Sequence, residues 1–262
     1  MLRRLAFPVL ALALTADAAA AGVVVVGSYT GVKTPKGRTV EFRIQDGRGR
    51  ISGESGQLIY YDHAKRTAYI VDMEKKTSVT VDEARARQIS AQLGEAQKML
   101  EAKLKELPPD KRAMVEKMMK EQGGGARSGG RRPLDFLKVG DDRVGSWPCE
   151  RYRAAADGRK VEVCTTAAEA LRIAPDDVAV FEGFLDLSER LAGGSGQEGV
   201  GGRAADRGYE GLPLERKEMN ADGVVTDRFV IESITNETMP ADELRVPSGL
   251  KEITPPGPPA AR

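Results

Sequence analysis

Between Gly22 and Val81 short β-branched runs alternate with polar turns, and this alternation limits the fold more than any other feature. Residues 23–29 form a β-branched run bounded by glycines. Residues 39–45 (TVEFRIQ) alternate cleanly, with Val40, Phe42 and Ile44 on one face and charged side chains on the other. That is the pattern of a half-buried antiparallel strand. Asp46-Gly47 is a hairpin turn signal. A weaker run at 48–53 follows, then runs at 58–61, 68–73 and 77–81. The polar stretches 62–66 and 74–76 separate the last three. Short strands at this spacing predict an antiparallel meander.

The hydrophobic period then changes. Ile89, Leu93, Ala96, Leu100, Leu104 and Leu107 recur at steps of three and four, which predicts a helix over 82–107 with Asp82 as its N-cap. Pro108-Pro109 interrupts it. A second helix over 110–122 carries Met114, Val115, Met118 and Met119, so 82–122 reads as a helical hairpin insertion. The stretch 123–132 (GGGARSGGRR) reads as a flexible linker back to β structure. Strands are expected at 136–139 and 143–147, and a hairpin over 149–164. Thr166 to Glu169 fits a capping box for a short helix. Asp176 or Asp177 is expected to cap a longer helix. Its stripe is Val180, Phe184, Leu187 and Leu191, widened by Phe181 and Leu185. Residues 193–208 are Gly-rich. A last hairpin, 212–219 with 224–234, turns at Asp222-Gly223. From 251 the Pro-rich tail (251–262) opposes regular structure. The whole reads as α+β: one antiparallel sheet covered by helices, in a single domain over 22–250.

Residues 1–21 have the three parts of an export signal. Arg3 and Arg4 supply the positive end, 5–14 an apolar core too short to span a bilayer, and Ala19-Ala20-Ala21 a cleavage site before Gly22. No Cys follows to accept a lipid. The expected product is a periplasmic chain with no spanning helix. Forty basic and 39 acidic side chains give a net charge of +1. Losing Arg3, Arg4 and Asp17 on cleavage brings the balance to zero. Such a chain has no global basic field for nucleic acid or an acidic membrane.

Motifs for catalysis are missing. There is no G-x-S-x-G elbow, no P-loop and no G-x-G-x-x-G, and His63, the one histidine, falls in a charged turn where an exposed side chain is expected. Acidic pairs at 141–142 and 176–177 suit turns and helix starts. Two Cys and one His cannot build a structural zinc knuckle. Neither a metal nor a cofactor is therefore expected, and no enzyme activity. The cluster of Met99, Met114, Met118 and Met119 has three readings: a soft-metal site, adaptable apolar packing, or a face for a partner protein. Arg127 to Arg132 lacks an aromatic to stack on a base, which suits a linker better than a nucleic-acid contact.

Cys149 and Cys164 are expected to pair in an oxidising compartment. Two registers of the hairpin compete. Setting the cysteines directly opposite each other pairs Arg151 with Glu162 and needs a four-residue connection over 155–158. Using Asp157-Gly158 as a two-residue turn puts Cys164 opposite Arg151 and leaves Cys149 on the diagonal, a geometry that bridges less easily.

Four stretches together resemble a known family. They are 62–76, with its repeated strand and charged turn; 107–114 (LPPDKRAM); 144–164 with Cys149-x-x-Tyr152 and Cys164; and 211–214 (GLPL) with 246–250 (VPSGL). Their order resembles an uncharacterised family of exported bacterial proteins that belongs with the half-barrel proteins typified by the lipoprotein carrier LolA. The resemblance implies a curved antiparallel sheet, closed on one side by helices, around an apolar interior. It implies a periplasmic binding protein, a carrier or sensor of an acyl chain or lipoprotein, with Val40, Phe42, Ile44, Phe181, Phe184 and Leu185 around the ligand. An interior filled by its own helix fits the same residues. The alternative function is an envelope protein-interaction module that uses Met114, Val115, Met118 and Met119 of the insertion.

Overall fold

The computed structural model describes residues 21–32, 34–53, 56–112, 114–115, 134–156, 158–192, 208–240 and 242–253. Residues 1–20 of the proposed signal segment 1–21, the linker 123–132 and the end of the tail lie outside them.

Six strands open the fold: β1 (Gly22–Gly31), β2 (Thr34–Gln45), β3 (Arg48–Gly53), β4 (Gln57–Asp62), β5 (Thr67–Asp72) and β6 (Thr77–Val81). Helix α1 (Glu83–Glu106) follows. Next come β7 (Leu137–Val144), β8 (Trp147–Ala156) and β9 (Arg159–Thr166), a 3-10 turn (Ala168–Leu171) and helix α2 (Pro175–Ala192). Strands β10 (Leu212–Met219), β11 (Val225–Glu237) and the two-residue β12 (Lys251–Glu252) complete the chain. All twelve strands form one sheet, ordered β12-β6-β5-β4-β3-β2-β1-β11-β10-β9-β8-β7. Its outer strands β12 and β7 do not meet, so the sheet is open. The class is α+β, as expected. Every neighbouring pair is antiparallel except β12 with β6, which is parallel.

Local chemistry explains the turns. Asp46 and Gly47 both adopt positive φ, 52° and 71°, the type I′ geometry that joins β2 to β3 without splaying them. The two charged turns of the meander are one device used twice. Asp62 Oδ1 accepts the Lys65 N–H at 3.1 Å, and Asp72 Oδ1 accepts the Lys75 N–H at 2.9 Å. The next residue, Arg66 or Lys76, then turns left-handed at φ 50° before the following strand begins. The repeated motif is turn chemistry.

Several local expectations need correction. Residues 137–144 form one strand, and the turn falls at Gly145 (φ 57°). Gly140 at φ 153° accommodates an irregularity in β7 that the Gly-Asp-Asp composition disguises as a turn. Thr166 does not cap a helix, because it pairs with Leu212 as the last residue of β9; Ala167 precedes the 3-10 turn without a side-chain cap. Neither Asp176 nor Asp177 is the N-cap of α2: both lie in its first turn, and the Asp177 N–H bonds to the Ala174 carbonyl. The first tail residues do not escape the sheet. Lys251 and Ile253 N–H groups donate to the Lys76 and Ser78 carbonyls.

Most of the core lies on one face of the sheet. Helix α2 packs there on β2, β3 and β4, while α1 packs on α2 and β6. Val180, Phe181 and Leu187 of α2 are buried with Val23, Val25, Phe42 and Ile44. Each such side chain contributes about 1.5–3 kcal/mol when removed from water. The other face of β1 is covered too. Met239 and Leu244 of the C-terminal segment bury Val24, with Val26 against them. Burial on both sides accounts for the unbroken Val23-Val24-Val25-Val26 run.

Candidate functional site

Three places gather the residues singled out by the sequence. The first is the layer between β2 and α2. Phe42 and Phe181 meet edge to face, centroids 5.5 Å apart, and Phe184 meets Tyr61 at 6.1 Å. Ile44 is buried and Val40 half-buried against the same cluster. The side chain of Leu185 lies outside the described residues. These side chains fill the space between sheet and helix. A gap of about 10 Å³ remains beside Phe42, Phe181 and Phe184, and one of about 20 Å³ beside Val23, Ile44 and Phe181. A ligand pocket starts at about 300 Å³. Among the described residues this layer therefore holds no ligand-sized cavity.

Two polar groups sit at this layer. Asp177 is only 7% exposed and borders the second gap. Burial pushes its carboxyl up to about 6, with Asp176 and Asp46 adding repulsion. The position is in the first turn of a helix, where the dipole favours a negative charge by about 0.3–1 kcal/mol, so desolvation outweighs it. His63 is half-buried, contrary to expectation. Its ring meets Tyr61 at 6.4 Å, and Nδ1 is buried without a hydrogen-bond partner. Gly183 of α2 lets the helix approach this pair: a β-carbon there would lie 2.6 Å from the Tyr61 hydroxyl and 3.1 Å from His63 Nδ1.

The helical insertion is the second place. Asp82 caps α1 as expected, its carboxylate accepting the Arg85 N–H at 2.7 Å. The first turns of α1 belong to the core, since Ala86 is fully buried beside Val81. Its far end is different: Met99 and Leu100 are 50% and 44% exposed. After Pro108 the Arg112 guanidinium closes the chain back onto α1, donating to the carbonyls of Leu104 (3.0 Å) and Lys105 (2.6 Å). Met114 follows at 67% exposure and Val115 is half-buried. Met118 and Met119 lie outside the described residues.

The third is the β8–β9 hairpin. Cys149 and Cys164 form a disulfide with Cα atoms 5.6 Å apart. The register is the two-residue-turn one: Ala156 pairs with Arg159 and Arg151 with Cys164. Sheet twist shortens one diagonal, so the turn and the disulfide coexist. On the same face Glu215, also opposite Cys164, is buried among cations. It accepts from Arg228 at 2.6 Å and lies 3.0 Å from Lys217 and 3.3 Å from Arg151. Burial pushes its carboxyl up, but these hydrogen bonds and charges pull it below the ordinary value. Arg151 also pairs with Asp142 at 2.6 Å and Glu162 at 3.7 Å, so three acids answer three cations and the cluster is a structural network.

No family model matches the chain, and no curated protein does. Solved structures show distant likenesses. An uncharacterized conserved protein from Thermus thermophilus is similar at a TM-score of 0.43 and 6% identity, over 89% of this chain and 90% of that one. A chain of the MucA/MucB complex of Pseudomonas aeruginosa gives 0.41 and 13%, over 89% of this chain and 58% of that one. A putative outer membrane lipoprotein-sorting protein domain from Vibrio parahaemolyticus gives 0.30 and 7%, over 86% and 89%. Among the described residues no helix is long and apolar enough to cross a membrane.

Sequence reasoning missed what lies on the face of the sheet away from α2. Arg43 and Arg50 share Glu243 at 2.9 and 3.2 Å, which anchors the C-terminal segment there. Beside it, Arg48, Tyr60, Tyr69 and Arg245 border a surface pocket of about 260 Å³. The doubled tyrosine at 60–61 was a signal for it: consecutive strand residues face opposite ways, so one of the two had to leave the main core.

Proposed function

We propose that this chain is an exported, non-enzymatic interaction module of the bacterial cell envelope. It engages a protein partner through the far end of α1 and the helical residues after Pro108. The observation that carries this reading is the exposure of Met99, Leu100 and Met114 together on the insertion. Adaptable thioethers and a Leu suit a partner's apolar surface. The packed layer between β2 and α2 supports the same choice, because the described residues leave no ligand-sized space there. The carrier of an acyl chain or lipoprotein is the second reading. It is favoured by the wholly apolar contact of Phe42 and Ile44 with Phe181, which α2 would uncover if it swung away.

Native mass spectrometry of the protein exported into a bacterial periplasm separates the two. A mass beginning at Gly22, without bound lipid, is expected. Photo-crosslinkers placed at Met99 and Leu100 are expected to capture one defined envelope protein, with Leu100→Glu abolishing capture. A lipid mass released on unfolding would overturn the interaction reading in favour of the carrier. A chain retaining residues 1–21 in the cell would overturn export.

A further inference from the structure

We propose that the pocket between β3–β5 and residues 244–246 is a binding site for a ring-sized organic anion, bearing a carboxylate or a phosphate ester. The pocket lies on the face away from α2. Cross-strand pairing sets its floor: Tyr60 is directly opposite Tyr69, and Arg48 directly opposite Asp62. Leu244 is buried against Val24, so the C-terminal segment holds the wall carrying Arg245. The open pocket has a volume of about 260 Å³, just under the usual lower bound for small-molecule pockets and enough for one ring and its substituents.

The charge pattern selects the ligand. Neighbouring acids are already engaged: Glu243 holds Arg43 and Arg50, and Asp62 pairs with Lys65 at 3.3 Å and caps the turn. Arg48 and Arg245 have no acidic partner among the described residues. Both guanidinium groups border the same concavity. Guanidinium forks match carboxylate and phosphate geometry. The Tyr69 hydroxyl has no hydrogen-bond partner among the described residues, which leaves a polar tip for a ring substituent. The tyrosine faces supply area for the ring itself. A bare inorganic ion would use the arginines and leave the aromatic floor wet.

An isotope-labelled sample of the mature chain tests this by amide-shift titration. The probes are glucuronate, benzoate and phenyl phosphate, set against neutral glucose and benzyl alcohol and against ringless acetate and inorganic phosphate. At least one ring anion is expected to give saturable shifts around Arg48, Tyr69 and Arg245, where its neutral and ringless counterparts give none. Which one binds tells a sugar acid from an aryl acid or a phosphate ester. The Arg48→Gln/Arg245→Gln variant is expected to weaken binding roughly tenfold or more. Arg245→Gln alone, at an exposed position, reads the same loss without a folding question. Tyr69→Ala is expected to weaken the ring anion while both arginines remain. The proposal is overturned if no ring anion gives saturable shifts, if acetate or phosphate binds equally well, or if the arginine variants bind unchanged.

Discussion

Replacing Asp177 with Asn should stabilise the protein at neutral pH and leave it unchanged in acid. The ordinary carboxyl value of 3.8 becomes about 6 in the folded state, chiefly through burial. The unfolded chain thus holds its carboxylate more readily than the folded one. Below pH 3.8 both states carry the neutral acid and no penalty exists. As pH rises through about 6 the folded state is forced to ionise, and stability is lost. Above that range the penalty is constant. At about 1.4 kcal/mol per tenfold in proton affinity the ceiling is about 3 kcal/mol. Water at the carboxyl's edge and the positive helix end reduce it, so about 1–2 kcal/mol is expected. Asn keeps the shape and cannot ionise. Urea unfolding of both proteins across this pH range should show a difference near zero in acid that grows and then levels off. A difference independent of pH, or an Asn variant less stable at neutral pH, would refute the reasoning.

Two further variants probe the disulfide and the packing of α2. Removing both cysteines as Cys149→Ala/Cys164→Ala opens a loop of sequence separation 15, and chain entropy sets the loss at about 3 kcal/mol. Reducing agent should lower the urea midpoint of the wild type to that of the variant and leave the variant unmoved; equal midpoints before reduction would show that the staple contributes nothing. Gly183→Ala would gain about 1 kcal/mol in an ordinary exposed helix. Here its β-carbon meets the buried Tyr61 and the half-buried His63, so a net loss of about 1–3 kcal/mol is expected in the same assay.

The sequence was most legible where a single local rule decides structure. Asp46-Gly47 and Asp222-Gly223 mark two hairpin turns, and the change of period at Asp82 marks the start of α1, because each involves only neighbours along the chain. It was least legible where a distant partner decides. Thr166 has the chemistry of a cap, but Leu212 claims its backbone for the sheet. Met239 and Leu244 are isolated apolar residues in an irregular segment, with no period to announce that they cover Val24. The cysteine hairpin lies between these cases. Its turn and its disulfide were both readable, and only the assumption of a flat sheet set them against each other. An untwisted ladder holds diagonal residues about 7–8 Å apart. The 5.6 Å observed falls within the range of an ordinary disulfide.

The layer between β2 and α2 shows how far apolar patterning can carry a functional argument. Period-two spacing puts Val40, Phe42 and Ile44 on one face, and helical spacing puts Phe181 and Phe184 on one stripe. Those same patterns describe a cavity wall and a packed core, because both need apolar surfaces turned toward each other. The distinction is one of volume. Phe181 reaches Phe42, and among the described residues gaps of about 10 and 20 Å³ lie beside them. Filling that space with α2 gives the fold its stability and moves solvent-accessible chemistry elsewhere. Two places open to solvent are the exposed end of α1 and the arginine–tyrosine pocket on the opposite face. The two differ in character, one presenting exposed Met and Leu side chains and the other arginines around a concavity, so a variant at either place should leave the other's binding intact.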